Sequence, residues 1–248
     1  MKTKIFKGLI IISILFFIGI NMFHQQTREI FKDSVCTFLN FGNTHNEIIN
    51  KGSEDKKMIA LTFDDGPHPR FTPKILDLLK EYDAKATFFV IGKHVEAYPE
   101  VLKIVAKEGH EIGNHTFSHI DTKQTSSIKV EEELKKTQEI IFNTTGIKSK
   151  VFRPPFGFYN SQIIDIAHKY DCKIVLWSPH QDAKDWNYPG VDNIVHQVLS
   201  KVQNGDIILL HDYVEKDCQS IEALKTILPE LKSRGYKFVT ISELIKNL

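Results

Sequence analysis

The chain reads as an α/β protein whose mostly parallel sheet closes like a barrel, on two observations. From residue 57 to residue 248, short β-branched or aromatic runs alternate with segments of helical periodicity, the pattern of repeated strand-helix units. Most of the strand runs, MIALTF, ATFFVIG and DIILLH among them, are dominated by apolar residues, as befits strands covered on both faces. Six or seven such units in one segment fit a single curled sheet better than two domains.

In chain order the strand runs are MIALTF from Met58, ATFFVIG from Ala86, HEIGNH from His110, CKIVLWS from Cys172, DIILLH from Asp206 and KFVTI from Lys237, with a shorter run leading into FRPPFG. Val, Ile, Phe and Thr recur in them because branched and aromatic side chains pack well on a pleated surface. Helices are predicted where apolar residues fall three and four apart, beginning with Ile75, Leu78, Leu79 and Tyr82. The same spacing recurs at Tyr98, Val101, Leu102 and Val105, at Val130, Leu134 and Ile141, at Val195, Val198, Leu199 and Val202, and at Ile221, Leu224, Leu228 and Leu231.

Two segments of other character precede this body. Lys2, Lys4 and Lys7 lead into an apolar stretch from Gly8 to Phe23, broken only by Ser13 and Asn21. Positive residues before an uncharged apolar run predict a signal peptide or signal-anchor helix over residues 1–23, with the rest of the chain outside the membrane. The stretch is short for a bilayer span of about 20 residues. No small-x-small cleavage pattern follows it, since Phe23, His24 and Gln25 are all large, so the anchor is favoured. Residues 24–56 are polar and read as a tether, leaving residues 57–248 as the folded domain. An extracytoplasmic protein, membrane-anchored or secreted, is the expectation.

With 42% hydrophobic and 25% charged residues the composition is globular. A net charge of +1 excludes the strongly basic balance of a nucleic-acid-binding protein. Cys36, Cys172 and Cys218 are too few and too scattered for a disulfide framework or a cysteine metal site, and read as free thiols or at most one bridge. A monomer is expected.

Chemistry in parallel barrels collects where strands end at their C-terminal side, and five segments there carry reactive residues. The first strand ends in Asp64 and Asp65, which repel unless a cation sits among them. His115 and His119, four apart, would face one side of a helical turn and share a metal. Two imidazoles and one carboxylate make a three-ligand divalent site of the catalytic kind, leaving the other aspartate as base. Gly66 and Pro67 are expected to turn both carboxylates to the rim. In FRPPFG the prolines stiffen the loop, so that its few N–H groups can serve as oxyanion donors, and Arg153 can pair with the base carboxylate. LLHD places His211 at a strand end as a general acid, with Asp185 or Asp182 of HQDAKDW available to orient it. Trp177 and Trp186 flank that loop, where an aromatic can stack on a sugar face, although core packing explains Trp177 equally well.

Together and in this order, these segments closely resemble the polysaccharide deacetylases of carbohydrate esterase family 4, whose catalytic part is the NodB homology domain; the resemblance spans roughly Lys57 to Leu248. It implies a distorted (β/α) barrel with fewer than eight strands, about seven. The implied activity is metal-dependent removal of N-acetyl groups from a cell-wall or chitin-like N-acetylglucosamine polysaccharide, with peptidoglycan first and chitooligosaccharide next. On this mapping Asp64 is the base and Asp65, His115 and His119 hold the metal, Zn²⁺ first, with Co²⁺ or Ni²⁺ as alternatives. Arg153 orients the base, and the main-chain N–H at Phe156, which stands where the family has tyrosine, helps bind the oxyanion. Asp185 tunes the acid His211, Leu209 lines the acetyl pocket and Trp186 closes the DxxDW motif, in a WSPHQDAKDW loop longer than the family pattern. Rival readings are an esterase acting on O-acetyl groups, a phosphate hydrolase, which the single Asp-His-His set argues against, and a catalytically silent glycan-binding module.

Overall fold

The computed structural model describes residues 48–246; the expected anchor and most of the expected tether lie outside them. Among the described residues no helix is long and apolar enough to cross a membrane. Eight strands form one sheet: β1 (Ile48–Ile49), β2 (Met58–Asp64), β3 (Ala86–Val90), β4 (Glu111–Asn114), β5 (Val151–Phe152), β6 (Lys173–Val175), β7 (Ile207–His211) and β8 (Lys237–Phe238). Every ladder is parallel, in the order β1-β6-β5-β4-β3-β2-β7, with β8 pairing to the start of β2. The crossovers carry α1 (Phe71–Glu81), α2 (Gly92–Ala97), α3 (Pro99–Lys107), α4 (Ser127–Thr145), α5 (Ser161–Lys169), α6 (Val191–Lys201) and α7 (Gln219–Ser233), and α8 (Ile241–Leu244) follows β8.

The seven-strand path curls into a half-barrel and does not close as a ladder. Its edges meet instead through single bridges, Lys51 to Asp206 and Asp182 to Leu209. The long loop after β6 supplies the second: Ser178 N–H donates to Ile207 O (3.0 Å) and Leu209 N–H to Gln181 O (3.0 Å). Three sequence expectations change here. The folded part starts inside the expected tether, because Ile48 and Ile49 pair with Ile174 and Val175. Helix α5 was not predicted; it buries Ile163, Ile166 and Ala167, with Ile164 and Tyr170 partly buried beside them, and its start is set by Asn160, whose Oδ1 accepts from Ile163 N–H. His115 and His119 lie in the loop after β4, not on a helix.

The two-residue period of the strands sorts chemistry from packing. On β2, Ile59, Leu61 and Phe63 point outward into the large core beneath the helices, while Ala60 joins an inner cluster with Phe89, Val151, Val175 and Ile207. Thr62 and Asp64 share Ala60's inward side. On β7, Ile208 and Leu210 face outward, leaving Ile207, Leu209 and His211 to the interior. The inner face is apolar at the base and polar at the C-terminal mouth.

Candidate active site

Asp64 ends β2, and Asp65 does not continue it: its φ of 76° is left-handed, so the turn starts one residue before Gly66 and both carboxylates reach the same mouth. Three bonds over-determine this conformation. Asp65 N–H donates to Phe89 O, its carbonyl accepts from His94 Nδ1 (2.7 Å), and Gly66 O accepts from Ile91 N–H. Gly66 has no alternative, since a Cβ there would lie 2.3 Å from the Asp212 carboxylate oxygens.

Asp65 Oδ1 stands 3.5 Å from His115 Nε2 and 3.4 Å from His119 Nε2. It is buried and has no hydrogen-bond partner, an arrangement that costs about 1–3 kcal/mol unless a cation occupies the gap. His115 Nδ1 donates to Arg153 O (2.6 Å), which leaves the Nε2 lone pair facing Asp65. Burial pushes both imidazoles below their ordinary value, and His119 is lowered further by its neighbour His115. Neutral rings are what a metal needs. Burial in turn raises the Asp65 carboxyl, against the pull of His211 and His119. The trio's ligand atoms lie within 4.8 Å of one another and can hold a divalent cation.

Asp64 is answered by a guanidinium. Arg153, fully buried, extends from β5 across the barrel interior, and its Nη1 donates to Asp64 Oδ1 (2.6 Å) and Thr62 Oγ1 (2.9 Å). Nε and Nη2 donate to the carbonyls of Val175 and Leu176. The other carboxylate oxygen, Asp64 Oδ2, lies 3.8 Å from His115 Nε2, so Asp64 borders the metal site without entering the trio.

At the end of β7, His211 Nδ1 donates to Asp185 Oδ1 (2.7 Å) and His211 N–H to Asp185 Oδ2 (2.8 Å). Burial alone would lower this imidazole; the Asp185 carboxylate, with Asp65 and Asp64 behind it, outweighs burial and holds it at about 9. The proton borne by Nε2 is thus retained at neutral pH. Asp185 is itself fixed by Trp186 N–H and by Ser220 Oγ at the start of α7. Asp182 is not the orienting group: its Oδ1 accepts from Lys184 N–H in a turn.

Phe156 occupies a 3₁₀ turn (Pro155–Gly157) at φ 61°, with its ring exposed and edge-on to His119 at 4.9 Å. Trp186, half exposed, stands in a second such turn (Asp185–Asn187). Leu209 is buried on β7 opposite Thr62. Trp177, partly buried, packs on the inner cluster and against Gly157. Sequence reading missed several supports: Thr62, Ser220, His94, Asn114, Glu133 and Asp212, whose carboxyl burial raises to about 7 against the hydrogen bond from Thr72. Thr62, Asn114 and Asp212 adjoin the motif residues without a spacing that assigns them a role, and His94, Glu133 and Ser220 lie in helices outside the motifs.

An ion-paired carboxylate, a ligand-ready Asp-His-His cluster and a proton-bearing imidazole at one barrel mouth are the equipment of metal-assisted hydrolysis, and that class is what fold and site define together. The family model described as polysaccharide deacetylase matches residues 51–175, and the chain belongs to this family. The match covers Asp64, Asp65, His115, His119, Arg153 and Phe156; Asp185, Trp186, Leu209 and His211 fall beyond it. Similarity to individual relatives extends further. The chain is 46% identical over 192 residues to a peptidoglycan-N-acetylglucosamine deacetylase of Bacillus cereus, covering 77% of this chain and 90% of that one. It is 34% identical over 196 residues to a chitooligosaccharide deacetylase of Azorhizobium caulinodans, covering 74% of this chain and 92% of that one. Among solved structures, a peptidoglycan N-acetylglucosamine deacetylase in complex with 4-naphthalen-1-yl-N-oxidanyl-benzamide superposes with a TM-score of 0.77 at 37% identity, over 82% of this chain and 94% of that one.

Proposed function

We propose that this protein is an N-deacetylase of N-acetylglucosamine polymers, releasing acetate and leaving a free amine, with peptidoglycan as the leading substrate and chitooligosaccharide the second. One observation carries the reading: Asp64, Asp65, His115, His119 and His211, from three strand ends, converge on one mouth.

Asp65, His115 and His119 would hold the divalent ion. Asp65 Oδ1, 3.5 Å from His115 Nε2 and 3.4 Å from His119 Nε2, offers with them the carboxylate-imidazole set that Zn²⁺ would take first, with Co²⁺ or Ni²⁺ as substitutes. Such an ion supplies Lewis acidity toward the acetyl carbonyl and lowers the pKa of water. Asp64, ion-paired with Arg153, takes the proton of the attacking water. The main-chain N–H of Phe156 donates to the developing oxyanion, a role that needs no tyrosine hydroxyl. His211 Nε2 gives its proton to the leaving amine while Asp185 retains Nδ1–H. Leu209 meets the acetyl methyl, and Trp186 presents a face to the sugar.

The silent-module alternative requires a lost base or ligand, and all are present. We place the enzyme outside the cytoplasmic membrane, held by residues 1–23 or secreted, and acting as a monomer on the cell's own wall. Acetate release from peptidoglycan, chitin oligomers and acetylxylan tests the reading. Release from the first two, lost in chelator and restored by Zn²⁺ or Co²⁺, is expected; activity on acetylxylan alone would make this an esterase.

A further inference from the structure

The loop that carries two of the three metal ligands is held in a costly shape. Thr116 (φ 66°) and His119 (φ 57°) both stand in the left-handed region, at about 1–3 kcal/mol each for residues with a Cβ. Such strain persists only where surrounding contacts over-determine the chain, and here the N–H groups of His115, Thr116, Ser118 and His119 all have acceptors. Thr116 N–H donates to Asn114 Oδ1 (3.0 Å) and His119 N–H to Thr116 Oγ1 (3.1 Å). The carbonyls of Thr116 and Phe117 accept from Gly92 N–H and Lys93 N–H at the start of α2.

Ser118 is held by a carboxylate. Glu133 on α4 accepts from Ser118 N–H (2.7 Å) through Oε2, and from Ser118 Oγ (3.0 Å) through both oxygens. Glu133 lies on the buried side of α4 with Val130, Leu134 and Thr137, where an apolar residue is the ordinary choice. Its side chain is 5% exposed, and the nearest cation, Lys129 Nζ, is 3.7 Å away and half exposed. Burying a carboxylate for one serine is expensive unless that serine's position matters.

His119 explains why it does. The His115 ring is aimed by the Arg153 carbonyl at its Nδ1. Among the described residues no such hydrogen bond reaches a His119 ring nitrogen, whose one polar approach is Nε2 to Asp65. The direction of the His119 ring is therefore set by its backbone, one residue beyond the Glu133 clamp. Lys136, 3.3 Å over the Phe117 ring, adds a second hold from the same helix.

We infer that Glu133 is a positioning residue for the metal: through Ser118 it fixes the backbone that aims His119, and so sets metal affinity from a helix that contributes no ligand. The inference rests on the reading that Asp65, His115 and His119 hold the divalent ion. The test measures Zn²⁺ affinity of the full-length protein by competition with a chromophoric chelator, together with the visible absorption of the Co²⁺-loaded protein. Glu133→Ala is expected to weaken binding roughly tenfold or more and to alter the Co²⁺ spectrum. Glu133→Gln, which keeps an acceptor for Ser118 N–H and gains a donor toward Ser118 Oγ, is expected to recover most of the affinity. Wild-type affinity and spectrum in Glu133→Ala would overturn the inference even if its unfolding midpoint in chelator falls, because a merely structural role moves only the latter. If Glu133→Ala does not fold, Ser118→Ala is read in its place: weaker binding supports the inference and unchanged binding overturns it. A wild-type chain that binds neither ion would instead overturn the metal reading itself.

Discussion

Replacing Arg153 with methionine isolates the pair on which the proposed base depends. The guanidinium is fully buried and the Asp64 side chain is 5% exposed, so removing the cation leaves a carboxylate stranded away from water. Breaking a buried pair from one side costs about 3–5 kcal/mol. Arg153 also serves Thr62 Oγ1 and the carbonyls of Val175 and Leu176, and each acceptor left unserved adds a penalty on the order of 1 kcal/mol. A loss of about 4 kcal/mol is a conservative figure against a total stability of about 5–15 kcal/mol, and corresponds to a fall of roughly 8–16 °C in Tm. Urea unfolding followed by circular dichroism measures it, in chelator so that metal affinity does not enter the stability. Because the penalty is mostly the uncompensated charge, Asp64→Asn in the Arg153→Met background should recover a substantial part of it. A loss below about 1 kcal/mol in the single variant, or no recovery in the double, would refute the assignment of the pair as a buried, mutually dependent unit.

Asp64→Asn is expected to lower acetate release by about 10²- to 10⁴-fold while Zn²⁺ affinity stays close to wild type, since Asp64 lies outside the ligand trio; full activity would remove it as the base. Asp185→Asn takes away the main group opposing burial at His211, so the imidazole should fall from about 9. His211 serves as an acid only when protonated, so the alkaline limb of the kcat/KM profile should move to lower pH, and an unmoved limb would dissociate Asp185 from the acid. Away from the site, burial lowers His110 from 6.5 to about 4, with a contribution from Lys85. Its folded-state value lies below the unfolded one, so its contribution to stability is present above pH 6.5 and is lost as pH falls toward 4, by about 3 kcal/mol. His110→Asn, which keeps an acceptor for Ala86 N–H, should flatten that slope in urea unfolding between pH 7 and pH 4.5.

The candidate site residues were legible because each sits in a short contiguous motif at a strand end: Asp64 with Asp65, His115 with His119, His211 with Leu209. Arg153 and Asp185 were legible beside them for the same reason, and the remaining supports were not. Ser220 meets Asp185 across 35 residues and Glu133 meets Ser118 across 15, in both cases from a helix whose sequence reads as ordinary amphipathic surface. The HxxxH spacing suggested the right partners for the wrong reason. It brings imidazoles together on a helix, whereas here two left-handed residues, Thr116 and His119, fold the loop back so that both rings meet Asp65. Helix α5 went unassigned although Ile163, Ile166, Ala167 and Tyr170 fall three and four apart, so its signal was present in the sequence.

What the sequence determined by itself is local: apolar runs that must be buried strands, periodic segments that must cover them, and side chains whose chemistry needs neither fold nor partner to be recognised. Tertiary structure decided everything relational. The inward side of β2 selects Thr62 and Asp64 over Phe63. A positive φ separates Asp65 from Asp64 in role, and Arg153 reaches Asp64 from 89 residues away. The physical reason is that a side chain's type is written at its own position. Its burial, its partner and hence its charge depend on residues that only the curl of the sheet brings within hydrogen-bonding distance.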